Sequence, residues 1–129
     1  IETSENIVFV GYQKDVRPYL AASDVLVLPS YREGLPNVVL QAGAMGLPCI
    51  VTNINGCNEI IENGKNGIII PPHDSEYLYR TMCGFLSSPR LVEQLASAAR
   101  PQIVQKYDRR TLWEALRKVY QEQISNLTK

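Results

Sequence analysis

Glu33 and Gln41 are the two side chains in this sequence whose types and spacing point toward chemistry. Glu33 lies in the polar run Tyr31-Arg32-Glu33-Gly34, between an apolar stretch ending at Pro29 and a helical run that begins near Pro36 and Asn37 and stops at Gly46. If Asn37 caps that helix, Gln41 is about one turn inside it. Its side chain then leans back toward the loop, because the Cα–Cβ bonds of a helix tilt toward its N-terminus. A helix N-terminus presents unpaired N–H groups and the positive end of the macrodipole, so a strand, loop and helix start of this kind is a natural anion site. Phosphate is the first ligand to consider. Gly34 allows backbone N–H groups to approach an oxygen-rich group closely, and Pro36 stiffens the helix entry. Without such a ligand Glu33 is a solvated loop carboxylate and Gln41 a partly buried polar residue, and spacing alone does not choose between the two.

Positioning these residues requires strands and helices around them. Ile7 to Val10 form a β-branched and aromatic run that fits a buried strand ending at Gly11. Asp15 then reads as a helix N-cap, with Pro18 tolerated in the first turn. Val25 to Leu28, Cys49 to Val51 and Ile68 to Ile70 are three further strands. Asn58 to Glu62 read as one or two turns of helix, followed by a tight connection at Asn63-Gly64 and Asn66-Gly67. Gly43 is costly inside a helix, about 1 kcal/mol relative to Ala, and points to close contact with a neighbouring strand. Gly46 reads as the C-cap, and Pro48 prevents continuation. From Asp74 onward the character changes to three amphipathic helices, spanning 74–125 in all. The first is capped by Asp74, the second starts at Ser88-Pro89 and should kink at Pro101, and the third runs from about Arg109 to Ile124. Strands that are apolar throughout, alternating with helices, indicate an α/β, Rossmann-like parallel sheet with flanking helices. Four strands are few for a doubly wound domain, so residues 1–129 read as one continuous, truncated domain whose first βα units are missing.

Composition narrows the function classes. Thirteen basic and thirteen acidic residues cancel, leaving no broad footprint for nucleic acid, so any phosphate recognition must be local. No apolar run approaches the length of a membrane span and no secretory leader pattern is visible, so a cytoplasmic protein is expected. Cys49, Cys57 and Cys83 form no CxxC pair, and the single histidine, His73, sits in a Pro-Pro-His-Asp turn, where it reads as a solvated turn residue. A structural zinc site and a histidine-dependent hydrolase are both disfavoured. Neither a GxGxxG fingerprint nor a GxxxxGK[ST] loop is present, which argues against a dinucleotide enzyme or a P-loop NTPase.

The run PSYREGLPNVVLQAGAMGLPCIVT resembles the signature of retaining, nucleotide-sugar-dependent glycosyltransferases of family 4 (group 1), which have the GT-B architecture of two Rossmann-like domains facing a cleft. That signature has a Pro-Ser opening, a Glu-Gly pair, a Pro, a second Glu eight residues after the first, and a small-residue run ending Gly-x-Pro. The preceding segment NIVFVGYQKDVRPYLAASDVLVLPS and the following segment INGCNEIIENGKNGIIIPPHD are similar to the family as well. The resemblance implies part of the C-terminal, donor-binding domain of a GT-B enzyme. It implies Glu33 as the catalytic-site glutamate that contacts the donor sugar, with Gly34, Leu35 and Pro36 as a backbone cradle near the donor. Tyr12 and Gln13 fall where relatives contact the nucleobase, and Glu59 matches a recurrent glutamate that also reads as a helix N-terminal charge. Gln41 stands where the family has its second glutamate, which binds the ribose hydroxyls, so donor binding is expected to survive in a weakened or retuned form. The implied co-substrate is a nucleotide sugar, with no other cofactor, no obligatory metal and no metal ligands. The implied partners are a glycan or lipid acceptor, which allows peripheral association with the inner membrane face, and the missing N-terminal GT-B domain; without that domain the face of the last helix carrying Leu112, Leu116, Val119 and Tyr120 is expected to be exposed, to pack on its own sheet or to join a second copy of the chain. The basic pair that holds the phosphates in relatives lies upstream of this region, so the chain alone is expected not to turn over. Two alternatives stay open: a non-catalytic nucleotide-binding Rossmann-like module, and a GT-B epimerase or phosphorylase.

Overall fold

A computed structural model describes residues 5–127. Three short parallel strands, β1 (Leu26–Leu28), β2 (Cys49–Thr52) and β3 (Gly67–Ile70), lie side by side in chain order. Their registers pair Val27 with Ile50 and Ile50 with Ile68. Six helices accompany them: α1 (Arg17–Ala21), α2 (Asn37–Ala44), α3 (Cys57–Ile60), α4 (Ser75–Ser87), α5 (Pro89–Tyr107) and α6 (Arg109–Leu127). No helix among the described residues is long and apolar enough to cross a membrane.

Strand alternation divides the core into two clusters. Cys49 and Val51 join Val39, Ala42, Cys57, Ile60 and Ile103 on one face of the sheet, with Leu26, Leu28 and Ile69 packed against them. Ile50 joins Ile70, Phe85 and Leu95 on the other, with Val27 and Ile68 alongside. Every residue of β2 is buried, as expected of a central parallel strand with helices on both faces. Helix α5 supplies Leu95 to one cluster and Ile103 to the other. It continues through Pro101 to Tyr107 as one element.

Helix ends follow the chemistry of their residues. Asp74 caps α4 by accepting from the Tyr77 N–H at 2.8 Å. Pro89 opens α5 at the position where a missing N–H costs nothing. Helix α2 closes in a Schellman motif, in which the N–H of Leu47 donates to Ala42 O and that of Gly46 to Gly43 O, both at 2.9 Å. Gly46, expected as the cap, adopts φ +81° one residue beyond the observed C-cap, Met45.

Several expectations are corrected. The run Ile7–Val10 is not a strand: it forms no ladder with the sheet, and Val8 and Phe9 are 80% and 70% exposed. A strand needs a partner edge for its N–H and C=O groups, and among the described residues no edge receives this run, so the sheet has three strands rather than four. Asp15 does not cap α1 from the N-cap position, which is Val16; it accepts instead from the Arg17 N–H and pairs with the Arg17 guanidinium at 2.7 Å. Gly43 meets a helix, not a strand. A Cβ there would lie 2.6 Å from Ile103 Cγ1, so the missing side chain is what lets α2 and α5 approach.

Candidate functional site

The C-terminal ends of the three strands form one edge, and the loops leaving that edge carry the candidate residues. Pro36 is the N-cap of α2 and makes no side-chain cap hydrogen bond; Asn37 is the first helical residue rather than the cap. Pro36 has an extended backbone, with ψ 104°, and its carbonyl accepts from the Val39 N–H at 3.0 Å, which leaves the N–H groups of Asn37 and Val38 at the helix start with no side-chain cap. The loop residues are graded in burial: Glu33 is half-buried, Gly34 and Leu35 are exposed, and Pro36 is buried. Thr52, at the end of β2, donates its hydroxyl hydrogen bond to the Ser30 carbonyl and fixes the start of the loop to the sheet.

Two cavities border this region. One, of about 330 Å³, lies over the ends of all three strands and is lined by Pro29, Tyr31, Thr52, Ile70, His73 and Leu78, among others. The second, of about 590 Å³, is lined by Lys14, Asp15, Val16, Arg17 and Gln41. Neither is lined by Glu33 or Gly34, which sit on an open loop between residues belonging to the two. The structure thus brings exposed Gln41 together with the segment from Lys14 to Arg17. It does not bring Tyr12 or Gln13 onto Glu33. Tyr12 is 93% exposed, and Gln13 folds back to donate to the Val10 carbonyl.

Electrostatics separate the residues further. The Arg17 guanidinium beside Asp15 holds that carboxyl down at about 2, so this ion pair stands charged next to Gln41 across the physiological range. Burial pushes the Cys49 thiol up to about 12, and burial with the nearby Glu33 charge pushes up Cys57. Both are fully buried and used as small apolar residues. Among the described residues no group of three or more His, Cys, Asp and Glu side chains is arranged to hold a metal ion.

Sequence reasoning missed a contact between two of the loops. His73, read as a solvated turn residue, has φ 60° and stacks on Tyr31 with ring centroids 4.2 Å apart and planes 13° from parallel. The loop after β3 is thereby fastened to the loop after β1, two residues before Glu33. Nothing local in the Pro-Pro-His-Asp turn signals it, because the partner is supplied by another crossover. Helix α5 buttresses the same region from below: Arg100 Nη1 donates to Ala44 O at 2.8 Å, Gln102 Nε2 to Glu62 Oε2 at 2.9 Å, and the Tyr107 hydroxyl to Glu59 O at 3.0 Å.

Residues 1–88 match the family described as Glycosyl transferases group 1. The chain belongs to that family. It is 44% identical over 70 residues to the UDP-Gal:alpha-D-GlcNAc-diphosphoundecaprenol alpha-1,3-galactosyltransferase of Escherichia coli, covering 54% of this chain and 18% of that protein. It is 32% identical over 112 residues to the lipopolysaccharide core biosynthesis glycosyltransferase LpsE of Rhizobium meliloti, covering 87% of this chain and 33% of that one. The chain therefore spans a third or less of these relatives. A glycosyltransferase from Rickettsia africae superimposes with a TM-score of 0.87 at 23% identity, over 95% of this chain and 33% of that one. Anabaena HepE, solved in complex with UDP-glucose, gives 0.84 at 24% identity over 92% and 33%. These likenesses place the fold as GT-B, of which the chain forms part.

Proposed function

We propose that this chain forms the later part of the donor-binding domain of a retaining transferase, which moves a sugar from a nucleotide-sugar donor to a glycan or lipid-linked acceptor. One observation carries the reading: the N-terminus of α2, without a side-chain cap, stands at the C-terminal edge of a parallel sheet with the half-buried Glu33 in the loop that leads into it. As the glycosidic bond breaks, negative charge grows on the departing diphosphate. N–H groups fixed in advance at a helix start stabilise that charge without reorganising.

Glu33 contacts the donor sugar in this reading, and Gly34, Leu35 and Pro36 line the approach to the diphosphate. Gln41 takes the ribose hydroxyls, while Tyr12 and Gln13 meet the nucleobase through the loop that leads into α1. The relative named for UDP-Gal and the structure solved with UDP-glucose favour a uridine donor. Basic groups from an upstream segment complete the phosphate site, and an N-terminal GT-B domain supplies the acceptor site. Diphosphate charge is met by those groups and by the helix, so no metal is required. The reaction takes place on the cytoplasmic side, at the inner membrane face where the acceptor is lipid-linked.

The test is a thermal-shift screen of the chain joined to its upstream domain, against UDP-, GDP- and ADP-sugars with and without a chelator. A specific ligand at a hundred times its Kd stabilises the native state by about 2.7 kcal/mol. One nucleotide class is expected to raise the melting temperature, equally with the chelator present. A flat response to all three refutes the donor site, and a shift abolished by chelation refutes the metal-free reading.

A further inference from the structure

Gly56 opens α3, and its backbone stands at φ +80° and ψ −47°. A Cβ at this position would lie 2.0 Å from the carbonyl oxygen of Gly34, 2.8 Å from the Gly34 carbonyl carbon and 3.1 Å from Pro36 Cδ. Gly56 is buried. The loop after β2 is thus pressed, backbone to backbone, against the loop after β1 at the residue following Glu33. No larger residue fits without displacing one of the two.

Glu59 holds this arrangement. Its Oε1 accepts from the Gly56 N–H at 3.3 Å and closes the turn that aims Gly56 at Gly34. Its own carbonyl accepts from the Tyr107 hydroxyl, so the end of α5 anchors the same turn. Between Gly56 and Glu59 lies Cys57, buried and within the electrostatic reach of Glu33.

We infer that Gly56 and Glu59 are positioning residues that set the Glu33–Pro36 loop: Gly56 by direct backbone contact, and Glu59 by fixing the conformation of Gly56. This rests on the donor-site reading for its functional meaning, but the contact itself is independent of any ligand. The molecule contains its own control. Gly64 has nearly the same backbone angle, φ +79°, with nothing within 4 Å of its would-be Cβ. Gly64→Ala therefore carries a positive-φ penalty without the collision.

The experiment compares Gly56→Ala, Gly64→Ala, Glu59→Leu and Glu59→Gln by amide NMR of the chain, and by nucleotide-sugar affinity in the protein carrying its upstream domain. Gly56→Ala is expected to move the Gly34, Leu35 and Asn37 resonances and to weaken donor binding tenfold or more, on the order of 1.4 kcal/mol. Gly64→Ala should leave both unchanged. Glu59→Leu should act in the direction of Gly56→Ala, and Glu59→Gln, which keeps an acceptor oxygen, should restore the wild-type pattern. If Gly56→Ala does not fold, the Glu59 pair decides by the same readouts. Unmoved Gly34 and Leu35 resonances in a folded Gly56→Ala or Glu59→Leu chain overturn the inference. Moved resonances with unchanged donor affinity leave the positioning contact standing and remove the donor site from this loop.

Discussion

Replacing Glu33 by glutamine keeps the size of the side chain and removes its charge, so it isolates what the carboxylate contributes. A donor-contacting carboxylate acting on the transition state is expected to be worth on the order of a hundredfold in kcat, with the melting temperature unchanged because the residue is only half-buried and lies on a loop. A solvated loop charge would leave kcat alone, which is the outcome that removes Glu33 from catalysis. Gln41→Glu tests the other end. A carboxylate would accept charge-assisted hydrogen bonds from ribose hydroxyls, about 1 to 2 kcal/mol better than an amide, and calorimetry should register tighter donor binding. Asp15 does not oppose this exchange strongly, because Arg17 neutralises it at 2.7 Å. Indifference to the exchange places Gln41 outside the site. Type and spacing alone made both residues candidates, because a helix start and a carboxylate eight positions from an amide are local features. The Tyr31–His73 stack and the Gly56–Gly34 contact were not legible in this way, since each joins loops that follow different strands.

At the scale of elements, α2 holds the site and α5 holds α2. Gly43→Ala improves helix propensity by about 1 kcal/mol but drives a methyl group to 2.6 Å from Ile103 Cγ1. Overpacking of this kind costs about 1 to 3 kcal/mol, so chemical denaturation should show a net loss. The same exchange in an Ile103→Val background should recover part of it, and failure to recover would show that the strain lies elsewhere. The sheet makes a separate prediction about pH. The unfolded chain releases the Cys49 proton near 9.0 and the folded chain only near 12. Between those values the unfolded state binds fewer protons, so stability falls as pH rises, by about 1.4 kcal/mol per unit from this thiol. Cys57 adds to the slope in the same direction. Denaturant midpoints measured from pH 8 upward should decline, and Cys49→Ala should flatten the decline; an unchanged slope would assign it to other groups. The unbroken apolar run of β2 made its burial on both faces readable in advance. The failure of Ile7–Val10 to form a strand was not readable, because a strand is defined by a partner edge as much as by its own residues.

On the scale of the whole molecule, α6 is the outlier. Leu112, Trp113, Leu116, Val119, Tyr120 and Ile124 are each between 46% and 67% exposed, so the apolar face read from the sequence is left uncovered rather than packed on the sheet. An apolar face of this extent favours association, and light scattering of the isolated chain at high concentration should detect a dimer that Leu116→Glu returns to monomer. A monomer throughout contradicts the dimer. The same isolated chain, incubated with nucleotide sugars and a panel of acceptors, should give no product, because the basic groups for the phosphates are expected from an upstream segment and the acceptor-side residues from the N-terminal domain. Transfer above background would overturn that expectation.

The sequence by itself determined the α/β class, the order of the elements from β1 onward, the helix starts at Asp74 and Ser88-Pro89, and the loop and helix that carry Glu33 and Gln41. These follow from propensity, periodicity and capping, which act within a few residues. Only the tertiary structure decided what holds that loop still: the bare Cα of Gly56 against Gly34, the His73 ring on Tyr31, and the Tyr107 hydroxyl on the Glu59 carbonyl. Each is a contact between segments brought together by the parallel crossovers, so no local pattern encodes it. The uncovered faces of Ile7–Val10 and α6 belong to the same category, because whether an apolar run is buried depends on which surface the rest of the fold offers it.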